Sequence, residues 1–401
     1  MTTGAGVATP TRTAYTREPY LVVHREQTRR KDVYGSIDDN VVVQAQLLRG
    51  AKPSSTVVVA MHPIGSPGYL PAFSQLARSG FHVAACATRY STGDAPLQME
   101  NVLLDLAACV RDAKERLGYE RVLLAGWSGG GSLMAGYQAE AEKRTIVQTA
   151  AGEPTPLADA DLVIPDGLVL MAAHRSRHRL LTDFLDASIL DEAAPDQRDP
   201  ELNLYDPANP NQPPYSADFL ARYREAQKAR NRRITATAQD RLAQLRADGR
   251  PDDEHCFVVH GTMADPRWVD PTVEPNDRRP QWSYLGDPRV ANDGPAGLAR
   301  FTTTRGWLSQ WSLDHAQVDA VDAAPRISVP VLVVINSADD ACPPSHPRDF
   351  FDAVPHADKE LHELTGANHY FSGGGEQRSH LDDAMAVVTG WATAHGFVEP
   401  A

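Results

Sequence analysis

An α/β protein on a mostly parallel central sheet, interrupted late by one large insertion, is what the sequence predicts. Three observations carry this. Short apolar, β-branched runs alternate with helical patterns, as expected of strands covered on both faces. The rhythm stops after residue 173 and resumes near residue 326. A glycine-rich turn, "GWSGGG" at residues 126–131, joins one apolar run directly to a helical pattern.

The elements follow in order. "YLVVH" (20–24), "NVVVQAQLL" (40–48) and "STVVVAM" (55–61) lie close together, as early strands of one sheet would. "FHVAACA" (81–87) precedes the amphipathic "MENVLLDLAACVRDAKERLG" (99–118). "RVLLAG" (121–126) leads into a helix beginning at Ser128, and "GLVLMAA" (167–173) is a further apolar strand. From His174 the chain turns rich in Pro, Asp, Arg and Trp, with long helical patterns such as "SADFLARYREAQKARNRRITATAQDRLAQLRADG". This stretch, 174–325, is read as a mainly helical lid inserted after the sixth strand. "SVPVLVVINSADD" (328–340), "KELHELTG" (359–366) and the helix "HLDDAMAVVTGWATAHG" return to the core, which spans 19–173 and 326–401. Residues 1–18 lack an apolar h-region and read as a flexible tail.

Composition narrows the function classes. Of 401 residues, 39 are basic and 52 acidic, a net charge of −13 that repels polyphosphate. Nucleic acid and anionic membrane are therefore poor partners, and no apolar run approaches the ~18 residues of a spanning helix. Cys86, Cys109, Cys256 and Cys342 form no disulfide framework and have no metal-ligand spacing, so a reducing cytoplasm is expected. His174 and His178 stand at i, i+4 but lack a carboxylate at useful spacing, and no metal or cofactor is expected.

The turn itself is informative. It lacks the lysine of a phosphate-binding Walker loop and does not fit G-x-G-x-x-G. It fits G-x-S-x-G at Gly126, Ser128 and Gly130. A serine at a sharp strand-to-helix turn is strained, and side chains two residues to either side would collide. Its hydroxyl projects above the sheet at a helix N-terminus, where developing negative charge is favoured. Such a nucleophile needs a base, and the base an orienting carboxylate.

Through "GWSGGG", "NSADDACPP" and "GANHY" the chain resembles the α/β-hydrolase superfamily. The resemblance covers both core segments and leaves out the lid. It implies the chain order Ser, acid, His. Ser128 is then the nucleophile, Asp339 the acid with Asp340 its neighbour, and His369 the base, since only this histidine follows a strand in a Gly/Asn loop. It further implies an oxyanion hole made by the amide of Gly129 and one from the loop after the third strand. That loop reads Met61-His62-Pro63-Ile64-Gly65, with proline, which has no N–H, where relatives carry glycine. The second donor is therefore Ile64, or else Gly65. "ATRYSTGDAP" replaces another stretch common in relatives, with Arg89 and Tyr90 expected to brace the loop.

The resemblance implies a serine hydrolase acting on a carboxylic ester, lactone or thioester of a hydrophobic small molecule. The alternatives are a carbon–carbon hydrolase of ring-cleavage products and a non-catalytic ligand-binding member of the fold. Trp127, His62, Trp307 and Trp311 are candidate substrate contacts, although the last two, four apart on one helical face, would equally staple the lid to the core. The arginines of "HRSRHR" are expected to form a solvated strip where the lid begins, or else to meet a carboxylate-bearing substrate. A homo-oligomer is left open.

Overall fold

The computed structural model describes residues 14–26, 30–33, 38–298, 300–372 and 379–399. Ten strands occur among them: β1 (Thr16–Arg25), β2 (Asn40–Arg49), β3 (Thr56–Met61), β4 (His82–Cys86), β5 (Arg121–Trp127), β6 (Gly167–Met171), β7 (Cys256–Val258), β8 (Phe301–Thr303), β9 (Val331–Asn336) and β10 (Lys359–Leu364). Eight form one sheet in the order β1-β2-β4-β3-β5-β6-β9-β10. β2 runs antiparallel to both neighbours, and all pairings from β4 to β10 are parallel.

Burial explains why these segments are strands. β3, β4, β6 and β9 are buried at every residue, as their unbroken apolar sequences require. β1 and β10, at the edges, are largely exposed or half-buried. Helices close both faces. α2 (Met99–Glu115), α3 (Gly129–Glu142) and α10 (Ser345–Ala353) pack Leu103, Met134 and Phe350 onto one. α1 (Pro71–Arg78) and α11 (Leu381–Ala394) pack Phe73, Leu76, Met385 and Trp391 onto the other. Each fully buried side chain of this size stabilises by about 1.5–3 kcal/mol. α1 and α10 were not anticipated, being only 8 and 9 residues long. β1 starts at Thr16, so residues 16–18 belong to the sheet and not to a tail, and residues 1–13 of the expected tail lie outside the described residues.

Between β6 and β9 come α4 (Arg177–Phe184), α5 (Ala217–Ala247), α6 (Pro266–Val269), α7 (Pro288–Asp293), α8 (Thr304–Gln310) and α9 (Ala320–Ala323), with β7 and β8 paired antiparallel. The 31-residue α5 is the one long helix here among the described residues; much of the remainder is loop, less helical than expected. This stretch has its own apolar cluster, in which Trp307 and Trp311 stack at 5.1 Å and are wholly buried. Hydrogen bonds tie it to the rest of the chain: Ser309 Oγ donates to Glu100 Oε2 on α2 (2.7 Å), and Arg305 pairs with Glu153 in the loop between α3 and β6 (2.6 Å). No helix among the described residues is long and apolar enough to cross a membrane.

Candidate active site

β5 ends at Trp127 and α3 begins at Gly129, so the chain reverses direction at Ser128. Ser128 takes φ 55° and ψ −125°, a conformation that costs a non-glycine residue on the order of 1–3 kcal/mol. The flanking glycines make the turn feasible. A Cβ on Gly126 would lie 2.6 Å from the Gly130 carbonyl carbon, and one on Gly130 would lie 2.5 Å from the Met61 carbonyl oxygen. Both are closer than real Cβ contacts allow.

Asp339 and His369 reach this turn from the loops after β9 and β10. His369 Nδ1 lies 3.0 Å from Asp339 Oδ2, and His369 Nε2 lies 3.1 Å from Ser128 Oγ. Asp339 Oδ1 accepts from the amides of Ala341 (2.8 Å) and Cys342 (2.7 Å), so the carboxylate cannot turn away. With Nδ1–H donating to Asp339, Nε2 keeps its lone pair for the serine hydroxyl. Trp127 Nε1 donates to the His369 carbonyl (2.9 Å), and its ring sits 4.6 Å from the imidazole. The stretch between β6 and β9 holds the acid loop: Asn276 Nδ2 donates to the Asp339 carbonyl (3.1 Å) and Trp268 Nε1 to that of Asp340 (2.7 Å). Asp340 makes no such link to His369; burial, and then the charge of Asp339, push its carboxyl up to about 6.

Cys342 was not anticipated here. Its Sγ lies 3.7 Å from Ser128 Oγ, and burial raises its pKa well above the usual thiol value. Donor atoms of Asp339, Cys342 and His369 fall within 4.8 Å of one another, a spacing that a metal ion also uses. A buried neutral thiol is a poor ligand, and the carboxylate and imidazole are already engaged with each other and with Ser128.

The loop after β3 carries the other candidate donor. His62 Nδ1 is 2.6 Å from the Ile64 carbonyl and 3.3 Å from the Ile64 amide. One nitrogen cannot donate and accept at once. The shorter contact requires Nδ1–H to donate to the carbonyl, which leaves the Ile64 N–H without an acceptor. Burial lowers the His62 pKa to about 4, so the ring is neutral at pH 7.

A cavity of about 300 Å³ opens above Ser128. His62, Ile64, Trp127 and His369 line it from the sheet side, and His174, Arg177, Leu180, Phe184, Tyr284 and Leu298 line it from the stretch between β6 and β9. Two expectations need correction. Trp307 and Trp311 do not reach the cavity; they form the interior of their own apolar cluster, with Trp307 Nε1 donating to Thr235 Oγ1 (2.9 Å). The "HRSRHR" segment is no solvated strip. Arg177 is only 3% exposed, while Arg175 and Arg179 both bond to Asp319, 144 and 140 residues away in sequence. His178 faces Asp319 (3.8 Å), and His174 turns to the cavity. Arg89 is buried between Asp105 (2.8 Å) and Glu26 (2.6 Å), bracing the loop after β4.

The family model described as "Serine aminopeptidase, S33" matches residues 299–373. Among solved structures the chain is similar to the α/β hydrolase GrgF from Penicillium sp. sh18, at 11% identity over 95% of this chain and 99% of that one, with a TM-score of 0.51. It is also similar to the Paleococcus ferrophilus monoacylglycerol lipase (16% identity, 88% and 99% covered, TM-score 0.46). A third similar structure is Est1E from Butyrivibrio proteoclasticus (12% identity, 88% and 94% covered, TM-score 0.45). No curated protein matches the sequence. The likeness to GrgF shows that the chain shares the fold of that α/β hydrolase.

Proposed function

We propose that this protein is a serine hydrolase that cleaves a carboxylic ester, lactone or thioester through an acyl-enzyme. One observation carries the reading: the unbroken hydrogen-bond chain from Asp339 through His369 to a serine held at a strained turn. Ser128 Oγ attacks the carbonyl carbon while His369 Nε2 takes its proton, and the Asp339 carboxylate stabilises the imidazolium that forms. The amides of Gly129 and Ile64 receive the oxyanion, each worth ~10²–10³ in rate. His369 then returns the proton to the leaving oxygen or sulfur, and water releases the acyl group by the reverse route. Residues 174–325 act as the lid: His174, Arg177, Leu180, Phe184, Tyr284 and Leu298 roof the cavity and set substrate choice.

The test is fluorophosphonate labelling read by intact mass and peptide mapping, beside hydrolysis of p-nitrophenyl esters. One adduct, confined to Ser128, is expected, and Ser128→Ala should lower kcat on the order of 10⁶. Folded protein that neither labels nor turns over any activated ester would overturn the reading in favour of a binding role.

A further inference from the structure

Three buried polar atoms have no hydrogen-bond partner and belong to residues lining one cavity: Arg177 Nε, His174 Nδ1 and Tyr284 Oη. A buried polar group left unpaired costs about 1–3 kcal/mol, more when charged. Three around the same space, on a segment that contributes none of the Ser-His-Asp residues, point to a ligand that satisfies them.

Their chemistry specifies that ligand. Arg177 is a guanidinium whose side chain is 4% exposed. Its Nη2 donates to the neutral Gln310 Oε1 (2.6 Å), and the carboxylate facing it, Asp94, stands off at 3.7 Å, beyond hydrogen-bond length. The positive charge is therefore matched only by this longer ion pair, with no carboxylate in hydrogen-bond contact, and its Nε is unused. The other titratable groups around it add no negative charge. Burial keeps His62 and His174 neutral, with the charge of Arg177 reinforcing both shifts, and burial keeps Tyr284 a protonated phenol. Tyr284 Oη and Arg177 Nε are donors, and a neutral His174 can donate from Nδ1. The site thus offers donors and one cation to something that accepts and is anionic.

The site also adjoins the reacting centre. A Cβ placed on Gly129 would lie 3.2 Å from His174 Nε2 and 3.0 Å from His62 Nε2, so His174 stands beside the amide next to Ser128. A 300 Å³ cavity that holds both Ser128 and Arg177 admits a small molecule spanning the two.

We propose that Arg177, with Tyr284 and His174, forms a carboxylate-binding subsite, so that the substrate is an acidic ester, lactone or thioester: apolar in its body and carrying one carboxylate. This rests on the serine-hydrolase reading for the reaction but not for the binding. Planar guanidinium recognition of a carboxylate supplies the specificity. Leu180, Phe184 and Leu298 contact the apolar part.

The test compares matched ester pairs: mono-p-nitrophenyl glutarate against p-nitrophenyl pentanoate, with the acid on the acyl side, and 4-acetoxybenzoate against phenyl acetate, with the acid on the leaving side. At least one acidic ester should show a kcat/KM preference over its neutral counterpart of about tenfold to a hundredfold, mainly in KM. In Arg177→Gln that preference should collapse. A preference absent from both pairs, or one that survives Arg177→Gln, overturns the proposal. Because the readout is a ratio, general damage to the enzyme does not mimic it. Should Arg177→Gln fail to fold, the wild-type enzyme decides: monomethyl glutarate should inhibit at least about ten times more strongly than dimethyl glutarate, and equal inhibition refutes the site. If Ser128 proves unreactive, the serine-hydrolase reading fails separately. The subsite is then judged by thermal shift of Ser128→Ala: a rise with monomethyl but not dimethyl glutarate upholds it, and equal responses overturn it.

Discussion

Replacing Asp339 with asparagine tests the hydrogen-bond chain at its far end. The side chain is the same size and stays within the same loop, so packing is preserved. Oδ1 accepts two backbone amides, from Ala341 and Cys342, at 2.8 and 2.7 Å. Asparagine has one acceptor oxygen, and those two donors claim it. Its NH₂ is thereby turned toward His369 Nδ1, where the carboxylate accepted a hydrogen bond at 3.0 Å. Two donors cannot face each other, so the imidazole must carry its proton on Nε2. That nitrogen then points an N–H at Ser128 Oγ and can no longer act as a base. The expected loss in kcat is on the order of 10⁴, with little change in melting temperature because both amides keep their acceptor. The assay is p-nitrophenyl ester hydrolysis at pH 7.5, with fluorophosphonate labelling rate as a second readout. Asp340→Asn serves as control, with kcat expected within about threefold of wild type, since Asp340 does not touch His369. A loss below about tenfold in Asp339→Asn, or an equal loss in the control, would refute the assignment of Asp339 as the orienting acid.

Two further outcomes follow from the same geometry. Gly126→Ala should destabilise by about 1–3 kcal/mol and disturb the turn at Ser128, because the new methyl meets the Gly130 carbonyl backbone, which cannot yield; unchanged denaturant midpoint and labelling would contradict this. Stability should fall as the pH drops from 6.5 toward 4.5. Burial depresses His62 and His178 to about 4, His346 to about 3 and His174 well below its ordinary 6.5, so the unfolded chain binds protons that the folded one refuses. Each histidine contributes up to about 1.4 kcal/mol per pH unit, and Asp340, raised to about 6, opposes with similar magnitude because its proton is held by the folded state. Denaturant titrations across this window should show the fall, and Asp340→Asn should steepen it by about 1 kcal/mol per pH unit. A flat profile, or a shallower one in the variant, would show the sign to be wrong.

Much of this protein was decided locally. Residues 331–336 form a strand because an unbroken apolar, β-branched run has nowhere to go but a sheet covered on both faces. The turn at Ser128 is legible because steric crowding leaves a serine at that corner only one arrangement of glycine neighbours, at 126 and 130. Asp339 and His369 were readable as residues at strand ends in a known order, and they lie within hydrogen-bond distance of one another and of Ser128. Short helices such as α1 and α10 escaped notice, since two turns give too little periodicity to stand out from a loop.

What the sequence could not convey was where charges and rings between residues 174 and 325 would end up. "HRSRHR" looks uniformly basic, yet Arg175 and Arg179 find Asp319 far along the chain while Arg177 is buried at the cavity, with Asp94 facing it at 3.7 Å. Trp307 and Trp311 share a helical face in any reading, but only packing against α4 and α5 turned that face inward, away from Ser128. Local sterics and the alternation of apolar runs determined the sheet and the serine turn, because those forces act between residues close in sequence. The cavity above Ser128, and the cation within it, were decided by long-range packing and ion pairing, whose partners lie far apart in the chain and leave no local pattern to read.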